Sequence, residues 1–329
     1  MSANLSSRNT YLDITKGILI LLVILGHSIQ YGAGSGNQEF WENPLFRFIY
    51  SFHMPLFMLI SGYLFTFSYQ KRGGMQVLKN RLKTLLYPIF SIEVILVLCH
   101  PLHIVPSVMW MLWFFWAIIF ATVAAIVMYY FRDRLNVPIP LYIVLMFFGM
   151  MLLPDYPMIS VNKFVLTYFL LGGVFRDYSL DQYVRFAWLA VIPFMGLLYF
   201  FHRESYIYIS GYTIIGNEPL WHLIVNVYRF ILGLLGSISF LWLLGLLHKA
   251  LRFYTALQDG LIWMGKYTLQ IYFLQTIVFY IVDYLKLKPG SVWQQFLVFV
   301  TVTITSFLFI IVIRRFKYIS LICFGKVYK

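Results

Sequence analysis

In a chain of 329 residues, 61% are hydrophobic, 20% aromatic and only 11% charged, with a mean hydropathy of +0.79. These values exclude an ordinary soluble domain. They also direct the formal charge of +13 first toward membrane orientation and anionic lipid rather than nucleic acid.

Runs of about 17 to 25 apolar residues recur at 14–31, 46–68, 84–100, 109–130, 137–153, 160–176, 186–201, 224–247, 263–284 and 292–313. Polar or Pro/Gly punctuation such as "QKRGG", "RDRLNVP", "LPDYP" and "KLKPG" separates them. The pattern predicts an all-α integral membrane bundle of about ten helices, residues 1–329 forming a single domain with no separate soluble one.

The first segment, "DITKGILILLVILGHSIQYG", holds two groups that hydrocarbon penalises, Lys16 and His27. Eleven positions of helix turn about 1100°, so the two side chains share a face and stand roughly 16 Å apart. Asp13, one turn before Lys16, either pairs with it or caps the helix start. A secretory signal is the rival reading, since Arg8 and Lys16 precede the apolar run and "YGAGSG" follows. The apolar stretch outlasts a signal core, and no clean small-x-small cleavage site follows it.

In the second segment, "IYSFHMPLFMLISGYLF", Pro55 reads as a first helical position. That places His53 at or just outside the helix cap, so that two histidines flank one outer loop. Ser61 and Gly62 fall mid-helix, where small residues serve close packing rather than nucleophilic chemistry. Next, "KNRLKTLLYP" brings Arg81 and Lys83, suited either to inner-leaflet lipid or to a phosphate-rich ligand. Further polar groups inside segments are Glu93, Arg229, Gln270, Gln275 and Asp283, each able to bridge helices or line a substrate path. Of these, Glu93 and Asp283 are carboxylates that could orient an imidazole.

Assigned to sides, nineteen of the 25 Lys and Arg fall with the N-terminus, leaving Arg47, Lys163, Arg203, Arg229, Lys286 and Lys288 opposite. Both termini are therefore expected in the cytoplasm. Cys99 and Cys323 then lie on opposite sides and cannot pair. The longest connection, 201–223, is rich in aromatic and hydrogen-bonding groups, as in a lid, a carbohydrate contact or a membrane-surface aromatic belt. Metal-ligand spacings, a Walker A loop and a Rossmann glycine pattern are absent from the sequence. Polar groups in a bundle also fit a transporter or flippase for a lipid-linked sugar, although neither inverted repeats nor paired broken segments are visible.

"YLDITKGILILLVILGH" resembles the opening of the acyltransferase-3 membrane acyltransferases, which carry L-D-x-x-R/K-G and a basic residue followed, after ten intervening positions, by His. "FHMPLFMLISGYLF", "KNRLKTLLYP", "MLWFFWAIIF" and "GKYTLQIYFLQ" are similar to that family's later motifs, the likeness being nearest to the sugar (fucose-type) O-acetylase branch. Two positions depart from it: Gln275 stands where His is frequent, and Thr84 where a basic residue is common.

The resemblance implies acyl transfer, in a bacterial cytoplasmic membrane, from cytosolic acyl-CoA to a hydroxyl of a cell-surface or lipid-linked saccharide on the opposite side. The expected donor is acetyl-CoA, with no metal, no nucleic acid partner, and membrane lipids around the bundle. It further implies His27 and His53 as the catalytic pair, with Lys16, Arg81 and Lys83 on the donor. Arg229 and Glu93 would hold the acceptor, while Asp13, Ser61 and Gly62 belong to the structural motif. In this frame Lys16 marks the donor's entrance to one passage and His27 its reactive end. His27 is either general base or transient acyl acceptor. His53 would polarise the thioester carbonyl or orient the sugar.

Overall fold

The computed structural model describes residues 9–32, 38–99, 112–284 and 291–328; Arg8, Lys286, Lys288 and the side chain of Cys99 lie outside the described residues. Every described regular element is helical: α1 (Thr10–Gly32), α2 (Pro44–Arg72), α3 (Gly74–Cys99), α4 (Trp113–Leu135), α5 (Ile139–Met151), α6 (Pro157–Asp177), α7 (Val191–Tyr199), α8 (Ile207–Ser210), α9 (Pro219–Leu251), α10 (Thr255–Lys266), α11 (Thr268–Tyr284), α12 (Val292–Arg315) and α13 (Lys317–Phe324). Short 3-10 turns precede α2, α7 and α8. Five helices, α1, α2, α4, α9 and α12, are long and apolar enough to cross a bilayer, and the chain is an integral membrane protein.

Within the described residues each of the ten apolar segments is helical, but three differ from the expected form. The seventh is a 3-10 stretch, Leu180–Ala190, running into the short α7. The ninth breaks at Tyr267, where the Thr268 hydroxyl donates to the carbonyls of Met264 (3.2 Å) and Gly265 (3.0 Å) and satisfies the end of α10. The third difference concerns Pro55, which does not open a helix. Asn43 caps α2 by accepting from the amides of Leu45 (3.0 Å) and Phe46 (3.1 Å), and Pro44 supplies the first position. Pro55 therefore sits mid-helix and His53 lies buried within α2, not at a cap. The neighbouring helix makes room: the face of α9 at Gly233 nests the Pro55 ring, and Gly236 abuts Phe52.

The broadest contacts are α2 on α6 and α1 on α10, and both are crossings of bare backbone. Gly62 abuts the carbonyl of Phe169 and Gly172 that of Leu59, while Gly17 abuts Leu261 and Gly265 abuts Asp13. In lipid, where apolar burial adds little drive between helices, such close approach supplies the van der Waals contact that holds them. Gly62 thus packs helices, with Ser61 beside it on the next face.

A β-carbon at these crossings has nowhere to go. Gly62→Val and Gly172→Val should each lower the unfolding temperature in detergent, at a cost of about 1 to 3 kcal/mol. Gly149→Val and Gly245→Val, with nothing within 4 Å of the new atom, should stay near wild type. Equal behaviour of the two sets would remove the crossings from the account of stability.

Candidate active site

α1 presents one face to two cavities. Near its start Asp13, almost fully buried, pairs with Lys16 at 2.8 Å. Lys16 lines a cavity of about 210 Å³ together with Ser61, Arg81, Lys266, Gln270 and Lys326. Four cations thus surround one space, and among the described lining residues none is acidic. Arg81 is braced there: its guanidinium donates to Thr122 Oγ1 (2.7 Å) and to the Ser61 carbonyl (3.3 Å) and sits over the rings of Phe65 (5.2 Å) and Phe169 (5.3 Å). Two of its faces are taken up by protein, which fixes the direction of its charge.

Two cations of this cavity escape a reading by apolar segments. Lys266 sits at the α10–α11 break, and Lys326 follows α13, far along the chain from any motif. The signal for Lys266 lies in "GKYT", where Gly265 presses on Asp13 and delivers the next residue beside Lys16. Lys83, expected with Arg81, turns away and lines a separate apolar groove between α3 and α13.

Further along α1, His27 lines a cavity of about 400 Å³. Its walls are mostly aromatic, with Tyr31, Trp41, Tyr50, Trp113, Tyr208, Tyr272 and Phe279 among them, and the His27 imidazole is joined there by the polar side chains of Gln30, Gln275 and Thr276. Tyr31 and Phe279 stack at 5.0 Å, and the His27 ring lies 5.7 Å from that of Phe279. His27 Nδ1 faces Gln30 Oε1 at 3.1 Å. With an amide oxygen as partner, Nδ1 carries the proton, and the Nε2 lone pair is free of that bond. Gln30, one turn past His27, went unnoticed in the sequence because a glutamine at a helix end has no periodic signature.

His53 lines neither cavity. Its Nδ1 donates to the Ile49 carbonyl at 2.7 Å, and its ring packs 4.7 Å from Tyr50, which does line the His27 cavity and against which Gly26 of α1 closes. The structure therefore brings His53 to the site through Tyr50. Gln275 is buried in the cavity wall with its Oε1 unpartnered. Glu93 and Asp283 line neither cavity.

The two cavities share no lining residue, so the single passage expected from the sequence is divided. Phe114, on the Lys16 side, and Tyr272, on the His27 side, meet edge to face at 5.5 Å and form the wall. Large aromatic side chains from α4 and α11 converge where α1 alone offered only aliphatic ones.

Arg229 also departs from its expected place, since it is absent from the cavity lining. Its Nη1 donates to the Gly211 carbonyl (2.8 Å), its Nη2 to Ser210 Oγ (2.6 Å) and its Nε to Val225 (3.3 Å). From the other side Asp155 accepts from the Tyr212 amide and pairs with the buried Lys163 at 2.6 Å. Tyr206 donates its hydroxyl to the Trp41 carbonyl (3.0 Å), and burial holds that phenol well above its usual value, so it stays a donor. The loop that carries Tyr208 over the His27 cavity is thus clamped at several points. Among the described residues no group of His, Cys, Asp or Glu is gathered to hold a metal.

A cation-lined cavity and an imidazole-bearing aromatic cavity thus both open on the first helix of a many-helix membrane bundle. The acyltransferase-3 profile, described as an acyltransferase domain, matches residues 9–315, and the chain belongs to that family. It is also similar to the nodulation protein NolL of Mesorhizobium japonicum, 45% identical over 86 residues, or 26% of this chain and 23% of that protein. The nodulation protein NolL of Sinorhizobium fredii is 42% identical over 87 residues, or 26% and 24%. The matched stretch spans about a quarter of the length of each relative. No solved structure matches.

Replacing Arg229 with Lys keeps the charge but loses the fork that spans Ser210 and Gly211. Amide hydrogen exchange in 207–212 should then quicken by about tenfold or more, as expected for loss of charge-assisted bonds, with α1 and α2 unaffected. An unchanged loop would leave Arg229 without a part in holding it.

Proposed function

We propose that the chain is a membrane O-acyltransferase that moves an acyl group, acetyl being the simplest, from cytosolic acyl-CoA to a hydroxyl of a saccharide on the other side. The observation that carries this reading is the position of Lys16 and His27 on one helix, each facing a cavity whose lining suits one reactant. The cation-lined space fits a phosphate-rich nucleotide head, for which Arg81 and Lys16 are ready-made partners. The aromatic space, without charged side chains but with amide and hydroxyl groups, fits a sugar ring that stacks on its apolar face and hydrogen-bonds at its edge. Gln275 adds a buried acceptor that, left unpaired, costs about 1 to 3 kcal/mol; an acceptor hydroxyl would supply its missing donor.

Sidedness rests on the excess of Lys and Arg on the side of the N-terminus, the same end as the Lys16 cavity. The lining of the His27 cavity and the likeness to sugar O-acetylase motifs support a saccharide acceptor. The likeness to nodulation proteins covers too little of either relative to choose a particular saccharide. The whole chain then acts as one transmembrane unit.

In the direct route, His27 Nε2 takes the proton from the acceptor hydroxyl as its oxygen attacks the thioester carbonyl. The C–S bond breaks, the acyl group stays on the sugar oxygen, and the thiolate of coenzyme A takes up the proton from His27. In the stepwise route Nε2 attacks the carbonyl first, the C–S bond breaks and the thiolate of coenzyme A leaves; the acceptor oxygen then attacks the acyl-imidazolium and gives up its proton to that thiolate as the N–C bond breaks and neutral His27 is restored. Gln30 holds the productive tautomer in both. His53 is assigned to positioning, through Tyr50. Either route brings the thioester past Phe114 and Tyr272, so those rings move aside during turnover.

In membranes with normal protein levels, His27→Ala should reduce transfer of labelled acetyl from acetyl-CoA by at least about a hundredfold. Retention of near-normal transfer would dismiss His27 from the chemistry, and absence of any acetyl-CoA turnover by the wild type would favour a transporter. Phe114→Ala should raise acetyl-CoA hydrolysis relative to transfer, because water follows the opened path. An unaltered ratio would mean that this wall is not on the donor's route.

A further inference from the structure

α3 turns two faces in different directions. Arg81, Thr84 and Leu85 border the Lys16 cavity, whereas Lys83, Leu86, Phe90 and Val94 line a groove of about 540 Å³ against Ile322 and Cys323 of α13. The groove shares no lining residue with either cavity on α1 and is larger than both. Its second wall is fixed in place. α13 ends at Gly325, whose φ of 62° is left-handed, and a β-carbon there would run into the Lys83 carbonyl, so the end of α13 lies directly on α3. Midway along, Ser91 Oγ donates to the carbonyls of Tyr87 and Ile322, which ties the walls together and leaves that hydroxyl nothing to offer a ligand.

The lining changes character along α3. Lys83, Tyr87, Phe90 and Val94 follow at spacings of four, three and four, so they form one stripe of the helix. Its first member is a cation, its second an amphipathic ring of the kind favoured at a membrane interface, and the rest is hydrocarbon. From Lys83 to Val94 the helix rises roughly 16 Å, about half the apolar thickness of a bilayer, or one leaflet. Lys79 extends the stripe by one more turn beyond Lys83. Both lysines are exposed, and neither ammonium has a partner among the described residues. The described lining of the groove contains no acidic side chain. A molecule that complements it is anionic at one end and apolar over the depth of one leaflet.

We infer that the groove holds a single anionic phospholipid, one acyl chain lying along α3 from Tyr87 to Val94 and the phosphate between Lys79 and Lys83. The leaflet is the one on the side of the N-terminus, where Lys and Arg are in excess and where a cytoplasmic membrane surface is rich in anionic lipid. A second copy of the chain is the poorer occupant. Paired about an axis along the membrane normal, it would bring its own Lys79 and Lys83 to the same end, with no carboxylate in the groove to meet them. The site stands apart from the acyl-transfer reading, because α3 separates the groove from the Lys16 cavity.

Native mass spectrometry of the purified full chain in detergent, titrated with dioleoylphosphatidylglycerol or dioleoylphosphatidylcholine, reads the occupant directly. One phosphatidylglycerol should be held at least about tenfold more tightly than phosphatidylcholine. Lys79→Gln and Lys83→Gln should each weaken it by about fivefold, the worth of one lysine at an anionic surface. Lys83→Arg should keep most of the affinity, and Lys249→Gln, at an exposed lysine of α9, should change nothing. Val94→Trp fills the apolar end and should lower retention of both lipids. In a Cys99→Ser background, phosphatidylglycerol should slow the reaction of Cys323 with N-ethylmaleimide severalfold. Equal retention of the two lipids, phosphatidylglycerol binding unmoved by both lysine substitutions, or a Cys323 equally reactive with and without bound lipid each overturns the inference. So does a dimer that Val94→Trp dissolves, which gives the groove to a second copy. Lys79, Lys83 and Val94 are exposed, so these variants should unfold at the wild-type temperature, and a loss of lipid is then not a loss of fold.

Discussion

Backbone contact between α1 and α10, at Gly17 against Leu261 and Gly265 against Asp13, is the constraint from which the rest of the site follows. The two helices could not approach so closely with a β-carbon at either glycine. The contact fixes the start of α1, with its Asp13–Lys16 pair, beside the end of α10, and so sets Lys266 at the same cavity. Immediately afterwards the chain breaks at Tyr267 and resumes as α11, which runs back along α1 and carries Gln270 to the first cavity and Tyr272 and Gln275 to the second.

Polar groups inside a bilayer bundle are held in two different ways here, and the difference separates scaffold from site. Lys163 and Arg229 are buried and Asp155 half-buried, but they are met by one another, by backbone carbonyls, by an amide and by a hydroxyl, so their polarity is consumed in fastening the loops. Around His27 the polarity is turned inward to a cavity: an imidazole with one nitrogen tied to Gln30, and an unpartnered amide oxygen on Gln275. Lys16 and Arg81 belong to the second kind, each braced by a protein partner yet bordering open space.

Aromatic side chains do more than fill the interior. They supply the walls of the His27 cavity, the platform through which His53 meets it, the cushions around Arg81 and Arg314, and the Phe114–Tyr272 partition. A partition of aromatic side chains closes the space between the two cavities while remaining able to rotate, which a wall of backbone could not do.

Much of this was legible in the residues alone. Apolar run lengths determined an all-α membrane bundle, because backbone groups in lipid must bond within their own helix. The 3.6-residue period places Lys16 and His27 on one face, since a rigid helix preserves that phase over eleven positions. What only the tertiary structure decided were matters of contact between distant segments. Pro55 lies within α2 because Asn43 and Pro44 start that helix earlier and Gly233 accommodates the ring. Arg229 clamps a loop instead of lining the cavity, Lys83 turns to the outside, Lys326 arrives from the far end of the chain, and the passage is split by rings from α4 and α11. None of these depends on local periodicity. Each is settled by which side chains meet when helices remote in sequence pack together, and a one-dimensional pattern does not encode that.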